Sequence, residues 1–224
     1  VRDLSFDLRQ GEILGIYGLM GSGRTEVLDR IFGLSDRTDG RIEVDGRTAR
    51  IDGPQDAVAF GIAYVTEDRK LSGLVLSASV RANLCLSSLG RLSMRGWMLS
   101  RREADGAARM IAALNIKTAS DAMGVANLSG GNQQKVVLGK WFMTEPKILL
   151  LDEPTRGVDV GAKREIYRVM SDFAKAGGSV VMVSSETEEI IGMADRVIVL
   201  RDGRKVGELG RDALSAEALL HLAA

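Results

Sequence analysis

The stretch GLMGSGRT, residues 18–25, restricts what this chain can fold into more than any other part of it. It follows the apolar run EILGIY and precedes EVLDRIFG, where Val27, Leu28, Ile31 and Phe32 recur at helical spacing. Strand, glycine-rich turn and helix in direct succession can gather backbone amides around an anion. Gly18, Gly21 and Gly23 admit close approach, and the helix N-terminus adds partial positive charge. The spacing is that of a phosphate-binding loop, G-x-x-x-x-G-K-[ST], with Arg24 standing where the lysine belongs. Ser22 lies inside the loop, and Thr25 is placed to offer its hydroxyl to Mg²⁺. Alone, the same letters also describe a strand-to-helix turn that holds no ligand.

The rest of the chain alternates strand and helix signals. LSFDL alternates as a half-buried strand does, and EILGIYG, GIAYV, KILLL, SVVMV and RVIVL are short apolar runs separated by longer helix-capable segments. That order predicts an α/β fold with a mainly parallel sheet. Residues 74–127 break the rhythm: ANLCLSSL and READGAARMIAALNI read as helices with no convincing strand between them. The expected organisation is an α/β core over 1–73 and 128–224, with a helical subdomain inserted at 74–127. The length, 224 residues, suits one sizeable domain with such an insertion. No fixed-period repeat or low-complexity tract interrupts it.

Composition then removes several functional classes. Thirty basic and thirty acidic side chains give a formal net charge of zero, so no global attraction to nucleic acid or an anionic membrane is expected. Cys85 is the single cysteine, which excludes an internal disulfide framework, fits a reducing compartment and reads as a small buried hydrophobe. No apolar run approaches the roughly 18 residues of a membrane span, and the N-terminus has no signal-peptide pattern. The chain reads as soluble and, starting at Val1 directly in a strand-like alternation, as an excised domain.

Two further stretches carry chemistry. LSGGNQQK, residues 128–135, puts Ser129, Gly130 and Gly131 at the start of a helix-like run, where a hydroxyl and free amides suit a terminal phosphate; an N-cap with a glycine turn is the structural alternative. ILLLDEPTRGVDVG supplies a buried strand ending in Asp152 and Glu153. Successive strand side chains diverge, so one carboxylate can hold magnesium while the next addresses an attacking water; a solvated acidic turn is the alternative. The order of glycine loop, LSGG and Asp-Glu strand makes coincidence a poor account of all three.

With these motifs the chain resembles a nucleotide-binding domain of the ATP-binding cassette (ABC) transporters, over nearly its whole length. The resemblance implies a P-loop NTPase core of mainly parallel sheet with an antiparallel β edge and an inserted helical subdomain. It also implies Walker A at 18–25, the signature at 128–135 including Gln133, Walker B at 148–153, a D-loop at Gly157–Asp159, and ATP with Mg²⁺ as ligands. More narrowly, GLMGSGRTE, YVTEDRK, LSGGNQQK and DEPTRGVDVGAK are similar to the second, C-terminal cassette of ATPase subunits that energise bacterial monosaccharide importers. Such a chain is expected at the cytoplasmic face of the inner membrane. Its partners would be a second cassette, expected as the N-terminal half of the same polypeptide, membrane permease subunits and, indirectly, a sugar-binding protein.

The sequence departs from the family pattern at three positions. Arg24 replaces the lysine that reaches the β- and γ-phosphates, with a bulkier planar cation. Glu67, in YVTED, stands where a glutamine lies near Mg²⁺ and contacts the membrane subunit; a carboxylate there repels phosphate unless a metal or cation intervenes. Ser185, in VMVSSETEE, aligns with the switch histidine, while the one histidine, His221, reads as a surface helix position. No adenine-stacking aromatic is evident, and Phe6 reads as core.

In the family, two cassettes sandwich two ATP molecules head to tail. The resemblance therefore implies that Gly18, Gly21, Ser22, Gly23, Arg24, Thr25 and Glu67 serve a degenerate site of this chain, with Asp152 and Thr25 on the metal, Glu153 as nominal base and Ser185 beside it. Ser129, Gly130, Gly131, Gln133 and Asp159 serve the partner's site. A non-transport cassette ATPase and a purely regulatory nucleotide-binding module remain open as alternatives.

Overall fold

The computed structural model describes residues 1–35, 40–94 and 96–224. In chain order the elements are β1 (Ile13–Gly18), α1 (Arg24–Phe32), β2 (Ile42–Val44), β3 (Arg47–Ala49), α2 (Pro54–Ala59), β4 (Ile62–Val65), α3 (Val80–Cys85), α4 (Leu89–Leu92), β5 (Ser93–Met94), β6 (Trp97–Met98) and α5 (Ser100–Ala113). They continue as α6 (Gly130–Phe142), β7 (Ile148–Asp152), α7 (Val160–Lys175), β8 (Ser179–Val183), α8 (Thr187–Met193), β9 (Arg196–Arg201), β10 (Arg204–Gly210) and α9 (Ala216–Ala223). The chain divides into two compact units, one of Val1–Tyr64, Lys147–Pro154 and Met170–Ala224, the other of Val65–Pro146 and Thr155–Val169.

The first unit is built on a six-stranded sheet of order β10-β9-β1-β8-β7-β4. Strands β9, β1, β8 and β7 run parallel, and β10 closes one edge antiparallel to β9. All residues of β1 and β8 are buried, as expected of strands covered on both faces, so their sequences are continuous apolar runs without alternation. The register pairs Asp152 with Val183 and Gly18 with Leu200, which fixes where the carboxyl ends of β7 and β1 finish against their neighbours. Arg196, 7% exposed at the start of β9, is held by Glu12, Glu208 and the Asp7 carbonyl, so its buried charge is paired.

The second unit is mainly helical. Ser79 caps α3, its hydroxyl accepting from the Ala82 amide, and the buried Asn83 amide bonds both the amide and the carbonyl of Val75. A Cβ on Gly139 of α6 would lie 2.6 Å from Leu84 and 3.1 Å from Leu114, so the missing side chain lets α6 approach its neighbours closely.

The apolar runs expected as strands are β1, β4, β7, β8 and β9, and Cys85 is buried. Two expectations require correction. Leu4, Phe6 and Leu8 alternate as half-buried residues among exposed ones, yet residues 4–8 form no strand: period-two burial without a ladder partner does not make one, and Phe6 is not core. Where no strand is expected, a small hairpin, β5 paired with β6, lies between α4 and α5, too short for its alternation to register in the sequence. His221 is exposed on α9, as expected.

Candidate functional site

In the first unit the glycine loop joins β1 to α1. A Cβ on Gly18 would sit 2.4 Å from the Leu200 carbonyl and from Ser22 Oγ, so only glycine ends this strand without displacing the loop. Gly23 caps α1 in a left-handed conformation at φ 95°, and the Val27 amide donates to its carbonyl. Gly21 is exposed at the open side of the loop with nothing within 4 Å of a would-be Cβ. Ser22 is 5% exposed, and its Oγ has no hydrogen-bond partner among the described residues.

Arg24 does not reach outward. Its Nη1 donates to the Ser184 carbonyl at 3.0 Å, at the end of β8. The next residue, Ser185, donates from its hydroxyl to Glu153 Oε2 at 3.0 Å. Glu153 itself has a left-handed backbone, φ 48°, and its amide bonds the Val183 carbonyl, so the turn after β7 directs the carboxylate toward the end of β8.

Asp152 is 1% exposed, and its Oδ1 lacks a partner among the described residues. Burial pushes its carboxyl up to about 6; the Thr25 hydroxyl and Arg24 oppose this, while Glu153 and Asp29 reinforce it. The Tyr64 hydroxyl lies 3.0 Å from Asp29 Oδ1 and 3.4 Å from Asp152 Oδ2, and burial, then the two carboxylates, push its pKa well above the ordinary tyrosine value. A buried carboxylate with an unpartnered oxygen beside a threonine hydroxyl is a donor set that suits a hard divalent cation.

In the second unit Ser129 caps α6, its Oγ accepting from the Asn132 amide at 3.4 Å and the Asn132 side chain at 2.9 Å. A Cβ on Gly131 would lie 2.4 Å from that of Ala162, so the starts of α6 and α7 touch there. Asp159 Oδ1 accepts from the Ala162 amide at 3.0 Å and caps α7. Ser129, Gly131, Asn132, Lys135 and Asp159 line an open pocket of about 240 Å³. Gln133 is buried, with Nε2 on the Val125 carbonyl at 3.3 Å, so its side chain faces the interior of the unit. The Glu67 carboxylate is ion-paired with Arg156.

The described structure thus gathers Gly18 to Thr25 with Asp152, Glu153 and Ser185 in one unit. Ser129, Gly130, Gly131, Asp159 and Glu67 lie in the other. Sequence reasoning did not find Tyr64, Arg69 or Arg156. Their partners lie 35 to 89 residues away, some of them backbone carbonyls, and only the adjacent opposite charges in EDRK hinted at a paired loop.

The sequence profile described as ABC transporter matches residues 1–156. The chain is 50% identical over 221 residues to the ribose import ATP-binding protein RbsA of Geobacillus kaustophilus, covering 99% of this chain and 45% of that protein. It therefore spans under half the length of such curated relatives. Among solved structures, an ATP-binding cassette of an ABC transporter superimposes with a TM-score of 0.84 at 19% identity, covering 99% of this chain and 91% of that one. A dimeric ATP-binding cassette bound to ADP and Pi superimposes at 0.77 with 23% identity, covering 92% and 88%. At these identities the structural matches establish the fold.

Proposed function

The chain belongs to the ABC transporter family, and from that premise we propose that it is a nucleotide-binding domain of a ribose-type sugar importer. In this reading its own nucleotide site binds more than it turns over, and its signature completes the catalytic site of a second cassette. Residues 18–25 cradle the phosphates. Asp152 and the Thr25 hydroxyl hold Mg²⁺, for which the unpartnered Asp152 Oδ1 is the fitting donor. The metal would neutralise charge on the phosphate oxygens.

The observation that carries this reading is Arg24. Its planar cation occupies the lysine position of the loop and is engaged by the Ser184 carbonyl. Two neighbouring features support the same conclusion. Ser185 offers Glu153 a neutral hydroxyl rather than an imidazole, and Glu67 needs Arg156 to balance its charge. By contrast Ser129 and Gly131 keep the form of a phosphate-facing helix start. The partner cassette, on this reading the N-terminal half of the same polypeptide, supplies the lysine-bearing loop. Permease subunits and a sugar-binding protein complete the importer at the cytoplasmic face of the inner membrane.

Calorimetry and turnover on the purified chain test this. Measurable MgATP binding with slow or undetectable hydrolysis is expected. Rapid hydrolysis by the chain alone, free of contaminating ATPase, overturns the impaired site.

A further inference from the structure

We propose that Arg69 is a positioning residue, whose guanidinium latches the loop 66–73 to the turn 155–159 and packs close against the first residue of α6. Its terminal nitrogens donate to two successive carbonyls, Nη1 to Arg156 at 2.7 Å and Nη2 to Gly157 at 3.2 Å. A rigid planar fork matches two such acceptors, which the single point charge of a lysine does not. Gly157 has φ 65°, a left-handed conformation that turns consecutive carbonyls toward one side and that other residues adopt only with strain.

Gly130 makes room for the fork. A Cβ there would lie 2.8 Å from Arg69 Nη2 and 3.1 Å from the Gly157 carbonyl. The glycine of the signature thus has a second task besides exposing its amide to phosphate: it seats Arg69.

The loop that carries Arg69 is itself held in shape. Asp68 Oδ1 accepts from the amides of Lys70 and Leu71, Thr66 and Ser72 join hydroxyls at 2.7 Å, and Glu67 pairs with Arg156 beside the fork. At the loop's far end the Gly73 carbonyl accepts from Lys140 Nζ at 2.7 Å, three turns along α6. The loop is therefore tied to α6 at one end, through Lys140, and to the turn bearing Asp159 at the other, through Arg69. None of these contacts belongs to the nucleotide cradle of the other unit. On the importer reading, which this consequence rests on, displacement of the loop by a permease is passed directly to Gly130 and Asp159, two groups that serve the partner's ATP.

Hydrogen exchange on the purified chain tests the latch without transport. The amides of Val158, Ala162 and Lys163 donate to Thr155 O, Asp159 Oδ1 and Asp159 O, and their protection reports the order of the turn. Arg69→Gln is expected to speed exchange at these amides about tenfold or more while central α6 amides keep their protection, and Arg69→Lys to rescue only part of it. Exchange within about twofold of wild type at all three amides for both variants overturns the latch. Should the glutamine variant fail to fold, the lysine variant is read against the same criterion. In the full transporter, Arg69→Gln is expected to lower kcat about tenfold with the KM for ATP within about twofold, since both terminal nitrogens of Arg69 are engaged by backbone carbonyls. Unchanged kcat there overturns the functional role of the latch. Absence of sugar uptake by the wild-type transporter overturns the importer reading and leaves the exchange result standing.

Discussion

The Ser185 hydroxyl donates to Oε2 of Glu153 over 3.0 Å, so the carboxylate proposed as the base of a nucleotide site is engaged by a neutral group. A hydroxyl supplies a hydrogen bond but cannot carry the charge that an imidazole can. On the proposed importer reading, Glu153→Gln in the assembled transporter should therefore leave a substantial fraction of ATPase activity and sugar uptake. Ser129→Arg, at the cap of α6, should nearly abolish both, because losing a preorganised donor to a transferring phosphoryl group costs about 10²-fold or more. Steady-state rates of the two variants decide it. A dead glutamine variant beside an active arginine variant would place the working site on this chain's loop.

Arg24 is expected to be an imperfect phosphate ligand, because its Nη1 is engaged by the Ser184 carbonyl. Arg24→Lys provides a compact ammonium that can turn to a phosphate, and should strengthen MgATP binding without restoring fast turnover while Ser185 and Glu67 remain. Calorimetry on both proteins measures this. Weaker binding by the lysine variant would mean the loop has been reshaped around the guanidinium.

Acid should unmask the Arg196 cluster. Hydrogen bonds from Lys205 and Arg196 hold Glu208 down to about 2 from an ordinary 4.5. A depressed carboxylate contributes its stability fully above its unfolded-state value and loses it as pH falls toward the folded one. The melting temperature of Glu208→Gln should therefore lie below wild type at pH 6, with the gap narrowing steadily between about pH 4.5 and 2. A gap that is constant from pH 6 to pH 3 contradicts the assignment.

Leu151 is fully buried in β7, whereas Leu71 is 87% exposed. Urea unfolding of Leu151→Ala should show a loss of about 2–5 kcal/mol, while Leu71→Ala stays within about 0.5 kcal/mol. Equal costs for the two would require a different core.

Sequence by itself determined the elements whose signal is local. KILLL, SVVMV and RVIVL announced β7, β8 and β9 because strands covered on both faces must be apolar throughout. The glycine loop, the LSGG cap and the Asp-Glu strand end were legible because each needs particular residue types at fixed short spacing. Tertiary structure decided the rest. Residues 4–8 carry a strand's alternation but form no strand, since strand formation depends on a partner that no local pattern specifies. The charge balance of Glu67, the engagement of Arg24 by Ser184, the Tyr64 hydroxyl near Asp152 and the Arg69 fork on Arg156 and Gly157 join positions 87 to 160 residues apart. Two of these use backbone carbonyls, which every residue possesses, so the choice of acceptor is written in the path of the chain rather than in its letters.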